Sequence, residues 1–432
     1  DVDGKTRILY LWNQNIEGEM AEGREPLGYG YGAQYDSLDI NNALDTGNRR
    51  FAEMLVPASD GLSGHGTAVA SIAAGSRSGQ SGGIAYESEI IAVALKRTGG
   101  SDGGYTRTID IMEGIDYVLR KAIELNMPIV INLSFGTNEG AHDGNTLFEN
   151  YITDINGIWK NIVVVAAGNE GDSRHHVRTN VSGEGNRTEF AIGDNERSIR
   201  LFVWKYFQDE FELYLNTPLG KRINISNDVT LSSQRENIES VLVMPTPYTS
   251  KQLVEVSISP GNNETYVISG IWSIEFMVTG NIKCGIVDMW LPTIEAIGLS
   301  TGFLRPSPDT TVTIPATARK VLSVGAFNQT AGSMAPFSGR GYTADGRLVP
   351  LIAASGVDVQ TAGYGGGYVR KTGTSFAAPK VSGYAARIME WGIVRKNDEN
   401  MYGEKLIAYM TRYAVGIEGE EMPGIRQGWG LI

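Results

Sequence analysis

Over residues 88–166, short β-branched runs alternate with stretches of helical periodicity, and this alternation narrows the fold class before any motif is considered. SEIIAVALK reads as a buried strand, TIDIMEGIDYVLRKAIEL as an amphipathic helix and MPIVINLSFG as the next strand. Within the helix, Ile111, Ile115, Val118 and Ala122 recur at steps of three and four, which places them on one face against a sheet. A further helix near 146–159 leads into NIVVVAAGN, an unbroken apolar run suited to a strand buried on both sides. Strands linked through helices run parallel, because a parallel neighbour requires a crossover. The expectation is an α/β domain built on a parallel sheet.

Between about 178 and 312 the pattern changes. SIRLFVWKYF, EFELYLNT, QLVEVSISP, TYVISGIW, SIEFMVTG and KCGIVDMWLP are short, aromatic and β-branched, and Gly, Pro, Asn and Asp separate them. These segments predict an all-β antiparallel sandwich of about 130 residues inserted into the α/β domain. Helix and strand alternation resumes with TIPATARKVLSVGAF and ends in a helix over about 375–392, where Val381, Tyr384, Ala385 and Ile388 form the apolar stripe. At 432 residues the chain exceeds the usual span of one core, which agrees with a first α/β part at 1–177, the insertion at 178–312 and a second α/β part at 313–432.

Composition excludes several partners. A net charge of -12 without any Lys/Arg-dense run argues against nucleic acid, whose binding leaves a basic footprint. No apolar run approaches the length of a membrane span, so a membrane is not expected either. The single cysteine, Cys284, cannot form an intrachain disulfide and is expected to pack in the interior. The opening DVDGKTRILYLW has neither an initiator Met nor a signal-type apolar segment, and is expected to be internal to a longer product.

Three motifs carry chemistry. GHGTAVASIAAG (64–75) sets His65 at the mouth of a small-residue helix, and TGTSFAAPKVSGYAA (372–386) sets Ser375 at the start of another. A Ser at a helix entrance gains backbone N–H groups and the positive end of the dipole, both suited to the oxyanion formed when it attacks a carbonyl. Pro379 falls in the first turn, where a missing donor costs little. VVVAAGNEG (163–171) is a strand that ends in small residues and then Asn169, a neutral donor able to bond an oxyanion without titrating. Taken singly, each has a plainer reading: Ser375 as a cap, Gly-His-Gly as a turn, Asn169 as a turn residue.

Together, GHGT, AAGNEG and GTSFAAP resemble, in that order, the motifs of the subtilisin-like serine proteases (the subtilase family). INLSFG, LKRTGGSDGGYT and TIPATARKVLSVGAF support the match. More narrowly, EGEMAEGREPLGYGYGAQYDSLDINNAL, the inserted β region and MEWGIVRKNDENMYGEKLIAYM are similar to the clostridial Csp-type germination proteases and their relatives, in which a jelly-roll domain interrupts the catalytic domain. The resemblance implies a parallel sheet with helices on both faces and a serine endopeptidase. Ser375 would be the nucleophile and His65 the general base, with Asn169 and the Ser375 backbone N–H as the oxyanion hole. It implies that extended protein or peptide substrate pairs with Gly99, Ser101, Asp102 and Gly103 on one side and with Leu133, Ser134, Phe135 and Gly136 on the other, in β-augmentation. Ala167 and Gly168 would help line the pocket for the residue before the scissile bond. No cofactor is called for. Family members often bind calcium, but no Asp-rich loop of EF-hand spacing occurs here. A secreted or spore-associated location would follow from the narrower resemblance.

The triad acid is the missing piece. Asp45-Thr46-Gly47 has the tripeptide form of such an acid, yet the residues before it are Asn, Asn, Ala and Leu, not a buried strand. DSLDINNALDTGN reads instead as a short helix, capped by Asp36 or Ser37 and ended by Gly47. No strand precedes Asp1 or Asp3, and the segment that follows them matches the region downstream of the family's acid. The acid is therefore expected outside these residues, on a separate N-terminal piece with the pro-region, held noncovalently. The alternative is a binding or regulatory pseudoprotease, since such an acid is worth about four orders of magnitude in turnover. An esterase of another fold is disfavoured, because no Gly-x-Ser-x-Gly elbow surrounds Ser375. His175, His176 and His142 read as residues of solvated loops, with no metal-ligand spacing around them.

Overall fold

A computed structural model describes residues 4–16, 23–57, 64–77, 82–98, 106–181 and 186–432. Its centre is a parallel sheet in which Ile129–Leu133, Asn161–Ala166, Leu322–Asn328 and Ile352–Ser355 lie side by side in that order. Asn161–Ala166 shows why the run is apolar throughout. Val163 and Val165 point into one core cluster and Ile162, Val164 and Ala166 into the other, so period-two alternation buries both faces. Helices Thr108–Glu124 and Leu147–Ile155 cover the first face, and Thr374–Met389 and Gly403–Tyr413 the second.

The expected stripes are the buried ones. Ile111, Ile115, Val118 and Ala122 are 2–9% exposed, and Val381 and Ala385 are fully buried while Tyr384 and Ile388 pack against the same cluster. Helix Leu147–Ile155 is shorter than the expected 146–159: Thr146 and Glu149 form a capping box at its start, and the chain turns after Ile155. Helix Thr374–Met389 passes into a π-helical turn, Glu390–Val394. SEIIAVALK supplies strand Ile90–Ala94, which is half-buried along its whole length and not buried as expected. Its neighbour is Ile8–Asn13, parallel to it, and Ala33–Asp36 completes this three-stranded sheet. Among the described residues Ile90–Ala94 does not pair with Ile129–Leu133, although both touch helix Thr108–Glu124.

The β-rich region forms two antiparallel sheets of five and six strands, from His176–Asn180 to Gly302–Phe303. One core joins them: Phe190, Leu213, Trp272 and Phe276 come from one sheet and Leu201, Val203, Val256 and Met289 from the other. TYVISGIW and SIEFMVTG merge into a single strand, Gly270–Val278. Cys284 is exposed, not interior, because it sits in the turn before Ile286–Trp290, where Asp209 collects the N–H groups of Lys283, Cys284 and Gly285. Among the described residues no helix is long and apolar enough to cross a membrane.

Candidate active site

Two packed helices bring the base and nucleophile candidates together. His65 opens helix His65–Ala74 and Ser375 lies in the first turn of helix Thr374–Met389, and the two helices contact each other. Ala68, Ile72 and Phe376 form the apolar seam between them. The half-buried His65 ring lies 5.6 Å, centroid to centroid, from the ring of Phe376, the residue after Ser375. Ser375 Oγ donates to the Ser134 carbonyl at 3.1 Å, and Ser134 Oγ donates to the Ser375 carbonyl at 3.0 Å. Ser134 is itself held by Asn132 Nδ2 at 2.9 Å, and Ser382 Oγ donates to Asn132 Oδ1 at 2.8 Å. This serine-asparagine network was not anticipated from the sequence, because its members lie about 250 positions apart.

Asn169 is pinned by the same helix start. Its Oδ1 accepts from Thr374 N at 3.0 Å and Thr374 Oγ1 at 3.1 Å, and Gly168 N donates to Thr374 Oγ1 at 3.1 Å. With Oδ1 committed, Nδ2 is the side turned outward, and it donates to Glu295 Oε1 at 3.1 Å. Gly373 gives helix Thr374–Met389 no side-chain cap of its own; Thr374 N–H is taken by Asn169 Oδ1 and Phe376 N–H by the Gly373 carbonyl at 3.1 Å, with the Ser375 N–H between them. Gly373 precedes it with φ 150°, and a Cβ there would face the Asn169 amide at 3.6 Å.

Leu133 ends strand Ile129–Leu133 and Ser134, Phe135 and Gly136 follow it, with Ser134 bonded to the first turn of helix Thr374–Met389. Gly136 and Gly168 both back onto Thr313, whose side chain a Cβ at either position would overlap. Of the expected pair, Ala167 is wholly buried in the core and Gly168 is half-buried. Gly99, Ser101, Asp102 and Gly103 lie outside the described residues, as do Asp1 and Asp3. Asp45 is exposed at the end of helix Ser37–Asp45, which Asp36 caps in a reciprocal box with Asp39, in line with the helical reading of that tripeptide.

The three remaining histidines are not in solvated loops. His142, His175 and His176 are 0–2% exposed. His142 and His176 both stack on Trp290, with ring centroids at 4.2 and 4.7 Å. His176 Nε2 meets Asp288 at 3.2 Å, Arg178 bonds the same carboxylate at 2.7 Å, and His175 Nδ1 meets Glu170 Oε2 at 2.7 Å. Each imidazole is thus a packing and pairing group between the catalytic core and the β region. Turn-forming neighbours concealed this, although Trp290 and Asp288, two apart on one strand, were a readable partner set.

Comparison with known proteins gives the family. The subtilase family (Peptidase S8) model matches residues 35–195 and 254–430. The structure of the Clostridium perfringens CspB protease is similar over 100% of this chain and 87% of that one, with 34% identity and a TM-score of 0.86. The prenylagaramide maturation protease PagA (17% identity, 85% of this chain and 78% of that one, TM-score 0.44) and the patellamide maturation protease PatA (18%, 86% and 80%, 0.44) are far more remote. With the family model spanning most of the sequence, the chain belongs to the subtilase family and is a subtilisin-like serine endopeptidase.

Proposed function

We propose that Ser375 is the acylating nucleophile, His65 its general base and then acid, and Asn169 Nδ2 with the Ser375 backbone N–H the oxyanion hole. In this mechanism the Ser375 hydroxyl turns from the Ser134 carbonyl by rotation about one bond and gives its proton to His65 as Oγ attacks the scissile carbonyl carbon. Negative charge collects on the carbonyl oxygen between Asn169 Nδ2 and the helix N-terminus. The proton then passes from His65 to the leaving amine, and water repeats the sequence to release the acyl group. Extended protein or peptide substrate adds as a strand along Leu133, Ser134, Phe135 and Gly136. The observation that carries this reading is the clamp of Thr374 on Asn169 Oδ1, which turns the amide donor outward one residue from Ser375.

The triad acid in this proposal is supplied by a separate N-terminal piece that carries the pro-region and stays bound noncovalently. The half-buried apolar strand Ile90–Ala94, unjoined to Ile129–Leu133 among the described residues, supports it as a place where one further strand would bury apolar surface. The test is fluorophosphonate labelling of the intact product. Labelling that Ser375→Ala abolishes is expected, and absence of labelling would favour a binding module. Mass spectrometry of the same material is expected to show a smaller N-terminal piece, and its absence would end the two-piece reading.

A further inference from the structure

The donor assigned to the oxyanion is already occupied in the resting protein. Asn169 Nδ2 donates to Glu295 Oε1 at 3.1 Å. Because Thr374 alone fixes the orientation of the amide through Oδ1, Glu295 is not needed to aim it. What Glu295 does is satisfy the one face that catalysis uses. It comes from the β region, on the segment between strands Ile286–Trp290 and Gly302–Phe303. That segment is firmly tethered. Leu291 N donates to the His175 carbonyl at 2.9 Å, Ile294 N donates to Glu170 Oε1 at 2.9 Å, and Ile297 is buried in the sandwich core. Glu170 follows Asn169 directly, so tether and carboxylate act on consecutive residues of the catalytic loop. The Glu295 side chain itself is exposed and can rotate away. Beside it opens a pocket of about 370 Å³, bordered by Asn169, Gly373 and Phe337 of the core and by Arg174, Ile294 and Leu299.

We propose that Glu295 is an internal competitor for the Asn169 amide, a contact supplied by the β region that restrains the peptidase until substrate displaces it. The proposal rests on the oxyanion role given to Asn169 above. A carboxylate is a stronger acceptor than the neutral carbonyl of a bound peptide, so the ground-state substrate competes at a disadvantage. When the tetrahedral intermediate forms, its charge must use the same N–H, and a carboxylate left within a few ångströms would repel it. Turnover therefore includes the cost of moving Glu295 aside, and substrates that hold it away react faster.

The second-order rate of fluorophosphonate labelling of Ser375 in the intact product tests this directly, because the phosphonyl oxygen gains negative charge in the same hole as Oγ adds to phosphorus and fluoride leaves. Glu295→Ala is expected to label about two- to tenfold faster than the parent, the range of one exposed charged hydrogen bond. Glu295→Gln, a neutral acceptor, is expected between them. The acceleration should vanish in an Asn169→Ala background. Equal or slower labelling by Glu295→Ala overturns the proposal, and so does acceleration that persists without Asn169. Asn169→Ala alone separates the two claims: if it slows labelling while Glu295→Ala changes nothing, only the competitor fails, and if it has no effect, the oxyanion assignment itself fails.

Discussion

His142 is wholly enclosed, with its ring on Trp290 and Nδ1 against the Val312 carbonyl at 2.8 Å. Burial pushes this imidazole down to about 4, and the bond to Val312 only partly offsets it. An unfolded chain takes up that proton near pH ~6.5, so between about 6.5 and 4 the unfolded state binds more protons than the folded one and stability falls as pH falls. This group alone is expected to cost about 2 kcal/mol between pH 7 and 5. His142→Gln should show a correspondingly smaller loss when urea midpoints are compared at the two pH values, and identical losses would exclude His142 as the source. Asp288 acts in a lower window. Burial would raise its carboxyl, but the bonds from His176 and Arg178 and the charge of Lys251 hold it well below the usual range. Its contribution is therefore present above the ordinary carboxylate range, near ~4, and is lost only as pH drops below it. Asn169 gives the corresponding prediction for rate: Asn169→Ala should lower kcat by about a hundred- to a thousandfold with KM little changed, measured on a chromogenic peptide.

At the level of single elements, strand ends and helix starts set the catalytic geometry. The chain leaves strand Asn161–Ala166 through Ala167 and turns at Gly168, whose φ of +89° and close approach to Thr313 admit no side chain. Gly168→Ala is expected to cost about 1–3 kcal/mol and to displace Asn169, so a thermal melt and the labelling rate should both fall. Helix Leu147–Ile155 depends on its cap. Thr146 Oγ1 accepts from Glu149 N at 3.2 Å, and the buried Glu149, raised by desolvation, is bonded by Thr146 and Thr317. Thr146→Ala should destabilise by about 1–2 kcal/mol without changing turnover at temperatures below unfolding, read from denaturant midpoints. Long periodic elements of this kind were legible from residue spacing, since one helical face must meet one sheet face. Ile90–Ala94 was misread as interior because an apolar run records what a strand is able to bury, not which neighbours it has.

Across the whole molecule, the β region is fastened to the catalytic core through Trp290. Its indole is 1% exposed and stacks with both His142 of the core and His176 of the sandwich, and Nε1 donates to the Thr310 carbonyl at 3.3 Å. Trp290→Ala is expected to cost about 3–5 kcal/mol through lost packing, seen as a lower melting transition and faster proteolysis near residues 291–299. Because Glu295 follows on the same segment, loosening this joint should also change the labelling rate of Ser375. Residues from both sheets of the sandwich fill one apolar cluster, and Ile297 anchors the connecting segment in it.

The amino-acid order alone determined the α/β pattern and the β-rich segments, and it singled out Ser375, His65 and Asn169 as candidates, because local periodicity and short motifs are properties of neighbouring residues. Contacts between residues far apart in the chain lay beyond it. Thr374 aims Asn169, Ser134 bonds Ser375 and is held by Asn132, three histidines are buried around Trp290 and Glu170, and a carboxylate 126 positions from Asn169 occupies its amide. Such pairings depend on which strand ends and loops the packed layers bring within bonding distance, and hydrogen bonds of about 3 Å leave no trace in the spacing of the residues that make them.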